Sequence, residues 1–339
     1  MSNIRKCFLL GCGVLALLIG ACTPGAKVQP TPEPVTMKVV VLPYLSYAPF
    51  FIAEDEGYFA EEGIEVEYVK LQTTPQAIPV LEQRQLDVMG ASPTFGLLNA
   101  IARGAKLRIV ADKGYLASDG CTYAAIVARR DLVESGELAD AVQLRGRRIA
   151  FNPTSFGGYF LYKVLSTAGL TFDDIQPQDL NPPAQLEALT TGAIDLGNLA
   201  EPWVSRAIKT GKVSMWQPIQ QVAPDFQLSM IVYGPSLLDD NPDVGKRFMV
   251  AYLKAVRQYN QGKTERNLEI LAEHTGLDKV VLEKACWPAL NDDGHIVPES
   301  LMDFQEWAMQ EGYIDSVVTQ EQFWDGSFID HANKVLGSQ

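Results

Sequence analysis

Residues 38–42 read Lys-Val-Val-Val-Leu, and residues 147–151 read Arg-Arg-Ile-Ala-Phe. Each stretch is a continuous apolar run behind a basic residue, which is typical of a strand buried on both faces of a sheet. In both places a Pro-containing loop follows, and then a helix that we predict over 50–59 and 159–168. The same unit of strand, loop and helix therefore occurs twice in the chain.

A second element repeats at the same spacing. In each copy a helix ends, Asp87 or Asp195 opens a short apolar strand, and a Pro-containing loop starts another helix. The offset from Lys38 to Arg147 and the offset from Asp87 to Asp195 agree within one residue. Two matched pairs at one offset predict two similar α/β lobes, each a mainly parallel sheet flanked by helices. Both Asp residues precede their strands, which indicates a structural role.

The four repeated loops follow the carboxyl ends of predicted strands, where open α/β sheets bind their ligands. We therefore expect a ligand cleft between the lobes. Helix N-termini in such a cleft offer free N–H groups to carbonyl or anionic ligand groups. The candidate ligand-binding residues in and beside these loops are Tyr44, Ser46, Tyr47, Ser92, Thr94, Ser155, Phe156, Gly157, Tyr159, Glu201 and Trp203.

Each candidate also has a structural interpretation. The aromatic residues can belong to the core, the Ser and Thr residues can cap helices, and Glu201 can be a helix N-terminal charge. As ligand contacts, the aromatic side chains would form stacking walls around Glu201 as a polar anchor. No Arg or Lys lies in the four loops, which disfavours a strongly anionic ligand, although helix N-termini can bind anions unaided. This combination favours a planar organic ligand.

The N-terminal sequence predicts that the protein is exported from the cytoplasm. Arg5 and Lys6 precede an apolar stretch of signal-peptide length, and small residues stand just before Cys22. This pattern is typical of a bacterial lipobox, in which the Cys is acylated; an ordinary secretory signal is the alternative. The Pro-rich residues that follow indicate an extended tether. We predict an extracytoplasmic protein held to the cell membrane by lipid on Cys22.

Composition excludes several classes of function. The 339 residues carry 28 Lys and Arg against 41 Asp and Glu, a net charge of −13, which disfavours nucleic acid as a partner. There are three His and no Cys/His cluster, so we predict no metal site and no cofactor. Beyond Cys22 only Cys121 and Cys286 remain, which permits one disulfide at most.

The C-terminal region contains no third copy of the repeat. Its apolar periodicity predicts helices over 243–259, 268–272, 277–285 and 300–310, which we expect to pack on the first lobe. The predicted organisation is a signal peptide at 1–21, a tether at 22–36, the first lobe at 37–126, the second lobe at 127–229, and a return to the first lobe at 230–339. We place the hinges near 124–127 and 228–231.

Several motifs, in order, resemble one family. Residues 44–53 read Tyr-Leu-Ser-Tyr-Ala-Pro-Phe-Phe-Ile-Ala, Glu-Gly-Tyr-Phe follows at 56–59 and Gly-Ile-Glu-Val at 63–66, while Gly-Ala-Ile-Asp at 192–195 and Glu-Pro-Trp at 201–203 match the second lobe. They resemble the nitrate, sulfonate, taurine and thiamine-precursor binding proteins of ABC importers. The resemblance implies a two-lobe periplasmic-binding-protein-like fold (type II) that closes on a small molecule.

The resemblance also implies an ABC permease with its ATPase as partners. It implies further that the chain acts as a monomer and is not an enzyme. Our first expectation for the ligand is riboflavin or a thiamine-type pyrimidine, and the alternative is an alkanesulfonate, taurine or nitrate. A lipid-tethered sensor would share the fold. Related pyrimidine-synthesising enzymes use a His and a Cys-rich motif, but in this chain no His precedes His274 and no Cys cluster occurs.

Overall fold

The computed structural model of the protein describes residues 34–42, 44–71 and 74–337, and the structural statements below concern these residues. The predicted signal peptide, Cys22 and nearly all of the tether lie outside them. In chain order the strands are β1 (Val35–Val41), β2 (Ile64–Lys70), β3 (Val88–Ala91), β4 (Arg108–Tyr115), β5 (Ala124–Arg129), β6 (Arg148–Ala150), β7 (Gln176–Gln178), β8 (Leu196–Ala200), β9 (Val213–Pro218) and β10 (Gln227–Tyr233).

The α-helices are α1 (Ala48–Asp55), α2 (Tyr58–Glu61), α3 (Thr74–Glu82), α4 (Phe95–Ala102), α5 (Arg130–Glu134), α6 (Phe156–Thr167), α7 (Pro182–Thr191), α8 (Trp203–Lys209), α9 (Pro242–Tyr259), α10 (Glu265–Thr275), α11 (Lys279–Lys284), α12 (Pro298–Gln310), α13 (Gln320–Phe323) and α14 (Ser327–Leu336). The helix predicted over 50–59 is divided in two, because Gly57 adopts a left-handed conformation with φ 74° that ends α1.

The strands form two five-stranded sheets, which confirms the predicted two-lobe α/β architecture. The first sheet has the order β2-β1-β3-β10-β4 and the second the order β7-β6-β8-β5-β9. β1 pairs in parallel with β2 and β3, and β6 pairs in parallel with β7 and β8. We call the sheet of β1 with its helices the first lobe, and the sheet of β6 with its helices the second lobe.

Each sheet also contains one antiparallel strand that the sequence analysis did not predict. β10 runs antiparallel to β3 and β4, and β5 runs antiparallel to β8 and β9. Both are the first strand after the chain changes sheets, through residues 116–123 and 219–226. The lobe boundaries predicted at residues 126 and 229 fall inside β5 and β10, because the apolar runs at these positions form strands that pair within a sheet. We propose that the lobes divide within the two crossing segments.

The repeated Asp residues perform the same structural task in both lobes. The Asp87 carboxylate accepts a hydrogen bond from the backbone N–H of Lys38 at 2.8 Å. The Asp195 carboxylate accepts one from the backbone N–H of Arg148 at 2.9 Å, and it also binds the Arg148 guanidinium. Each Asp therefore ties the start of its own strand to the neighbouring parallel strand, Asp87 to the middle of β1 and Asp195 to the start of β6.

The C-terminal helices pack mainly on the first lobe, where α9 contacts α1, α2 and α14. α12 contacts α6 of the second lobe as well. A disulfide between Cys121 and Cys286, with a Cα–Cα distance of 5.5 Å, joins the first crossing segment to the residues after α11. The one disulfide that the sequence permits is therefore formed, and it ties a crossing segment to the C-terminal helices.

Candidate functional site

A cavity of about 200 Å³ lies between the lobes, at the carboxyl ends of β1, β3 and β6. Eight of the eleven predicted site residues line it: Tyr44, Ser46, Tyr47, Ser92, Thr94, Ser155, Phe156 and Gly157. Three of the four predicted loops thus reach one cavity, as the strand-end argument requires. Whether these residues contact a ligand stays a prediction.

The N-termini of α4 and α6 meet across this cavity. The Thr94 hydroxyl accepts a hydrogen bond from the backbone N–H of Leu97, and the Ser155 hydroxyl accepts one from Gly157. The backbones of Thr94 and Ser155 form an antiparallel β-bridge. Capping and cavity lining are therefore compatible at both positions, and the two lobes are in direct contact here.

The predicted anchor Glu201 lies outside the cavity lining. Glu201 is 3 % exposed, and its carboxylate accepts hydrogen bonds from the backbone N–H of Ser205 at 3.0 Å and the Ser205 hydroxyl at 2.8 Å. Burial raises the pKa of Glu201, although hydrogen bonds from Ser205 and from the Cys286 backbone oppose this rise. Glu201 therefore bonds to the first turn of α8 and links the second lobe to Cys286, which agrees with its structural interpretation.

Trp203 and Tyr159 also lie elsewhere. Trp203 packs in the apolar cluster between α8 and the second sheet, with the Arg206 guanidinium 4.7 Å above its ring. Tyr159 packs among aromatic rings of both lobes, 5.7 Å from Phe226 and 5.3 Å from Trp307 between ring centroids. A ligand contact by these side chains has no support from this geometry.

The most consequential residue that the sequence analysis missed is Lys113, on β4. Its side chain lines the cavity yet is 1 % exposed. The ammonium donates a hydrogen bond to Ser46 Oγ at 2.8 Å and lies 3.7 Å above the centre of the Tyr47 ring. Burial lowers the pKa of Lys113 well below its usual value, while Asp112 opposes this effect. A lysine amine that donates a hydrogen bond thus stands in the wall of the cavity.

Asp112 does not pair with this ammonium, because successive side chains of a strand point to opposite faces. On the other face of β4 the Asp112 carboxylate accepts hydrogen bonds from the Asn291 backbone at 2.8 Å and the Gln227 amide at 2.7 Å. Burial raises the pKa of Asp112 to about 6, against the effect of these donors. Asp112 holds β4 to β10 and to the C-terminal region, so it fixes the strand that carries Lys113.

The second lobe contributes amide side chains, which the sequence analysis also missed. They belong to the residues Asn152, Asn181, Gln185 and Asn198. Asn181 lies in the segment after β7, and Gln185 lies on α7. They line the cavity where the loop after β8, with Glu201 and Trp203, was predicted to supply the contacts of the second lobe. The only sequence signal for Lys113 was an Asp-Lys pair inside an apolar strand, and the four amides carry no comparable signal.

A glycine in the corresponding strand of each lobe makes room for a cavity side chain. A Cβ added at Gly90 would lie 2.6 Å from the Tyr47 ring, whose hydroxyl donates to the Gly90 carbonyl at 2.7 Å. A Cβ added at Gly197 would lie 2.8 Å from Oε1 of Gln185. Both contacts are closer than a Cβ permits, so each glycine lets one cavity residue pack directly on its strand.

Other features of the described ranges bear on partners. No group of three or more His, Cys, Asp or Glu side chains there is placed to hold a metal ion. Within the same residues no helix has both the length and the apolar character needed to cross a bilayer.

Burial raises the pKa of Tyr44 to about 12, so the phenol in the cavity wall remains neutral at physiological pH.

Two curated relatives have different named ligands. A Bacillus subtilis protein named as aliphatic sulfonates-binding is 26% identical over 302 residues, which cover 85% of each chain. The riboflavin-binding protein RibY of Chloroflexus aurantiacus is 27% identical over 195 residues, covering 52% of this chain and 53% of its own. The relatives therefore leave the ligand of this chain open.

Solved structures show the same fold. The nitrate-binding protein NrtA of Synechocystis superposes with a TM-score of 0.72 at 16% identity, covering 90% of both chains. The desulfurization enzyme DszB superposes with a TM-score of 0.64 at 14% identity, covering 89% of this chain and 99% of its own. The NMT1/THI5-like family model matches residues 45–261, which is more than half of the chain. This chain therefore belongs to the NMT1/THI5-like family.

Proposed function

We propose that this chain is the extracytoplasmic solute-binding component of an ABC importer, which captures a small molecule between its lobes and delivers it to a permease. The cavity carries this proposal: it lies at the strand ends, both lobes line it, and its wall holds Lys113. The relatives named as binding proteins support the same function.

For the ligand, we propose a planar heterocyclic vitamin or precursor, riboflavin or a thiamine-type pyrimidine, that carries an acceptor oxygen. Tyr44, Tyr123 and Phe156 offer aromatic surface to a flat ring, and the amides of the second lobe offer hydrogen bonds. The polar anchor is Lys113 instead of Glu201. A buried ammonium is favoured when an oxygen of the ligand accepts from it.

Lys113 also favours a second candidate, an alkanesulfonate, taurine or nitrate. The absence of Arg and Lys from the four predicted loops no longer argues against an anion, because Lys113 reaches the cavity from a strand. A sulfonate or nitrate oxygen would pair with its ammonium and offset the cost of burying it. The two ligand classes differ in shape and in donors, so direct binding separates them.

The first experiment is calorimetric unfolding of the full chain in mild detergent with riboflavin, thiamine, its pyrimidine precursor, taurine and nitrate. A ligand at 100 times its dissociation constant adds roughly 2.7 kcal/mol to the free energy of unfolding. A shift with one heterocycle supports the first ligand class, and a shift with taurine or nitrate alone supports the second. No shift with any of these compounds contradicts both ligand assignments.

A separate part of the proposal is that the chain binds its ligand without converting it to a product, since the enzyme DszB shares the fold. After prolonged incubation with the protein, a bound ligand should be recovered unchanged by mass spectrometry. A time-dependent product would instead support an enzyme. Cross-linking in cells should capture a permease subunit, whereas capture of a signalling receptor would support the tethered sensor.

We also propose a monomer held to the extracytoplasmic face of the membrane by lipid on Cys22, a residue outside the described ranges. Cys22→Ser should abolish labelling by a fatty-acid analogue and release the protein from the membrane fraction. Cys121→Ser serves as a control, because that thiol is in a disulfide and should leave labelling unchanged. Full membrane association of the Cys22→Ser variant would contradict the anchor.

A further inference from the structure

Gln185 is a buried amide in the cavity wall. It lies in the first turns of α7, is 3 % exposed, and lines the cavity from the second lobe. Its Nε2 donates a hydrogen bond to the carbonyl of Leu180 at 2.9 Å. This bond fixes the orientation of the amide, so the group that remains for another partner is the carbonyl oxygen Oε1.

No donor among the described residues forms a hydrogen bond with Oε1 of Gln185, although this oxygen is buried. It lies over Gly197, where an added Cβ would be 2.8 Å away. Buried polar atoms in native proteins nearly always have a partner, and one left unpaired lowers stability. An acceptor held in this way in a cavity wall is suited to a donor that arrives with the ligand.

We propose that Gln185 determines specificity by accepting a hydrogen bond from an N–H group of the ligand. The inference rests on the proposed function, because it concerns the ligand of the same cavity. With Lys113 as a donor on the first lobe, the cavity then selects ligands that carry both an acceptor oxygen and an N–H donor. Ring imides, amino-heterocycles and aminosulfonates belong to this class, whereas nitrate and simple alkanesulfonates do not.

The test uses ligand pairs that differ at the N–H donor. Riboflavin is compared with 3-methylriboflavin, which lacks the ring N–H, and taurine with ethanesulfonate, which lacks the ammonium. Titration calorimetry on the full chain in detergent measures each dissociation constant. In the pair that binds, we expect wild-type protein to prefer the N–H member by about tenfold or more, as sites built around a buried hydrogen bond do.

Variants assign this preference to Gln185. Gln185→Met removes the acceptor and should reduce the preference to below about threefold, while Gln185→Glu keeps an acceptor and should preserve it. Gln220→Met is the matched control: Gln220 also has a buried Oε1 without a hydrogen-bond partner and an Nε2 bonded to Thr122, but it does not line the cavity. This control should retain the full preference.

Two results would overturn the inference and leave the proposed function standing: equal affinity of wild-type protein for both members of a pair that binds, or an undiminished preference in Gln185→Met. The wild-type comparison decides the question even where a variant fails to fold. If neither these four compounds nor thiamine or its pyrimidine precursor binds to folded wild-type protein, the ligand class of the inference is wrong, whereas binding of nitrate alone would leave the proposed solute-binding function standing.

Discussion

Replacing Lys113 by Met separates the binding role of this residue from its effect on stability. Met has a similar length and no charge, so the variant fills the space and removes only the ammonium. In the wild-type protein Lys113 is 1 % exposed, and its Nζ donates a hydrogen bond to Ser46 at 2.8 Å and lies 3.7 Å from the centre of the Tyr47 ring. The substitution therefore loses two favourable contacts and relieves the burial of a charge.

These effects nearly cancel for the protein without ligand. A hydrogen bond from a charged donor contributes about 1.5–3 kcal/mol, and a desolvated cation–π contact contributes about 2 kcal/mol. Burying the ion costs several kcal/mol, and apolar replacements of buried charges are often neutral or stabilising. We therefore expect the free energy of unfolding of Lys113→Met to stay within about 2 kcal/mol of wild type.

Binding should change far more than stability does. An acceptor oxygen of the ligand that pairs with Lys113 forms a charge-assisted hydrogen bond, and its loss weakens affinity by about 10- to 150-fold. Titration calorimetry measures this change for whichever compound binds. Lys163→Met is the matched control, because its ammonium also lies over a tyrosine ring, 4.9 Å from the centroid of Tyr159, but outside the cavity lining.

The reasoning is refuted if Lys113→Met binds within about threefold of wild type, because the ammonium would then make no contact with the ligand. It is also refuted if the variant loses more than about 3 kcal/mol of stability, because Lys113 would then be a structural residue. An equal loss of affinity in Lys163→Met would show that the effect does not arise in the cavity.

Three further predictions concern proton uptake at Lys113, the disulfide and the repeated Asp residues. Burial lowers the pKa of Lys113 and a ligand that accepts a hydrogen bond from it raises this pKa again, so binding takes up a proton. Affinity should therefore fall as the pH rises from the pKa of the free protein to the pKa of the complex. Calorimetry in buffers of different ionisation enthalpy should detect the proton uptake, and Lys113→Met should abolish it. Reducing the bond between Cys121 and Cys286, which are separated by 165 residues, should lower the free energy of unfolding by up to about 5 kcal/mol in denaturant titrations, and an unchanged midpoint would contradict this. Asp195→Ala should destabilise by about 2 kcal/mol and Asp87→Ala by about 1 kcal/mol, because Asp195 also binds a guanidinium; the reverse order in the same titrations would contradict this reading.

The repeated fold was predictable because its signals are local. A buried strand needs a continuous apolar run, and the Asp that begins the next strand bonds to the backbone of its neighbour, so each lobe repeats both at one spacing. The antiparallel strands β5 and β10 were not predictable in the same way. Nothing within an apolar strand of six or seven residues records which sheet it joins or in which direction it pairs.

The candidate site was predictable only where it follows the strand ends. Three of the four loops reach the cavity, and their Tyr, Ser and Thr residues line it. Glu201 and Trp203 looked like a polar anchor beside an aromatic wall, but a carboxylate next to a helix start caps that helix, and a tryptophan in its first turn packs against the sheet. Local sequence could not separate these roles, since capping and ligand binding use the same residue types at the same positions.

The cavity residues that the sequence did not reveal depend on contacts between different elements of the fold. Lys113 points into the cavity because Asp112 is bonded to β10 and to the C-terminal region, which sets the face that each side chain of β4 presents. Gln185 reaches the cavity because Gly197, on another element, leaves space for its oxygen. In the first lobe the group best suited to bind a ligand is positioned by partners far away in sequence, and in the second lobe by Leu180 and by a glycine on the next strand. The specificity of this fold can therefore change through those partners while the loop motifs stay the same.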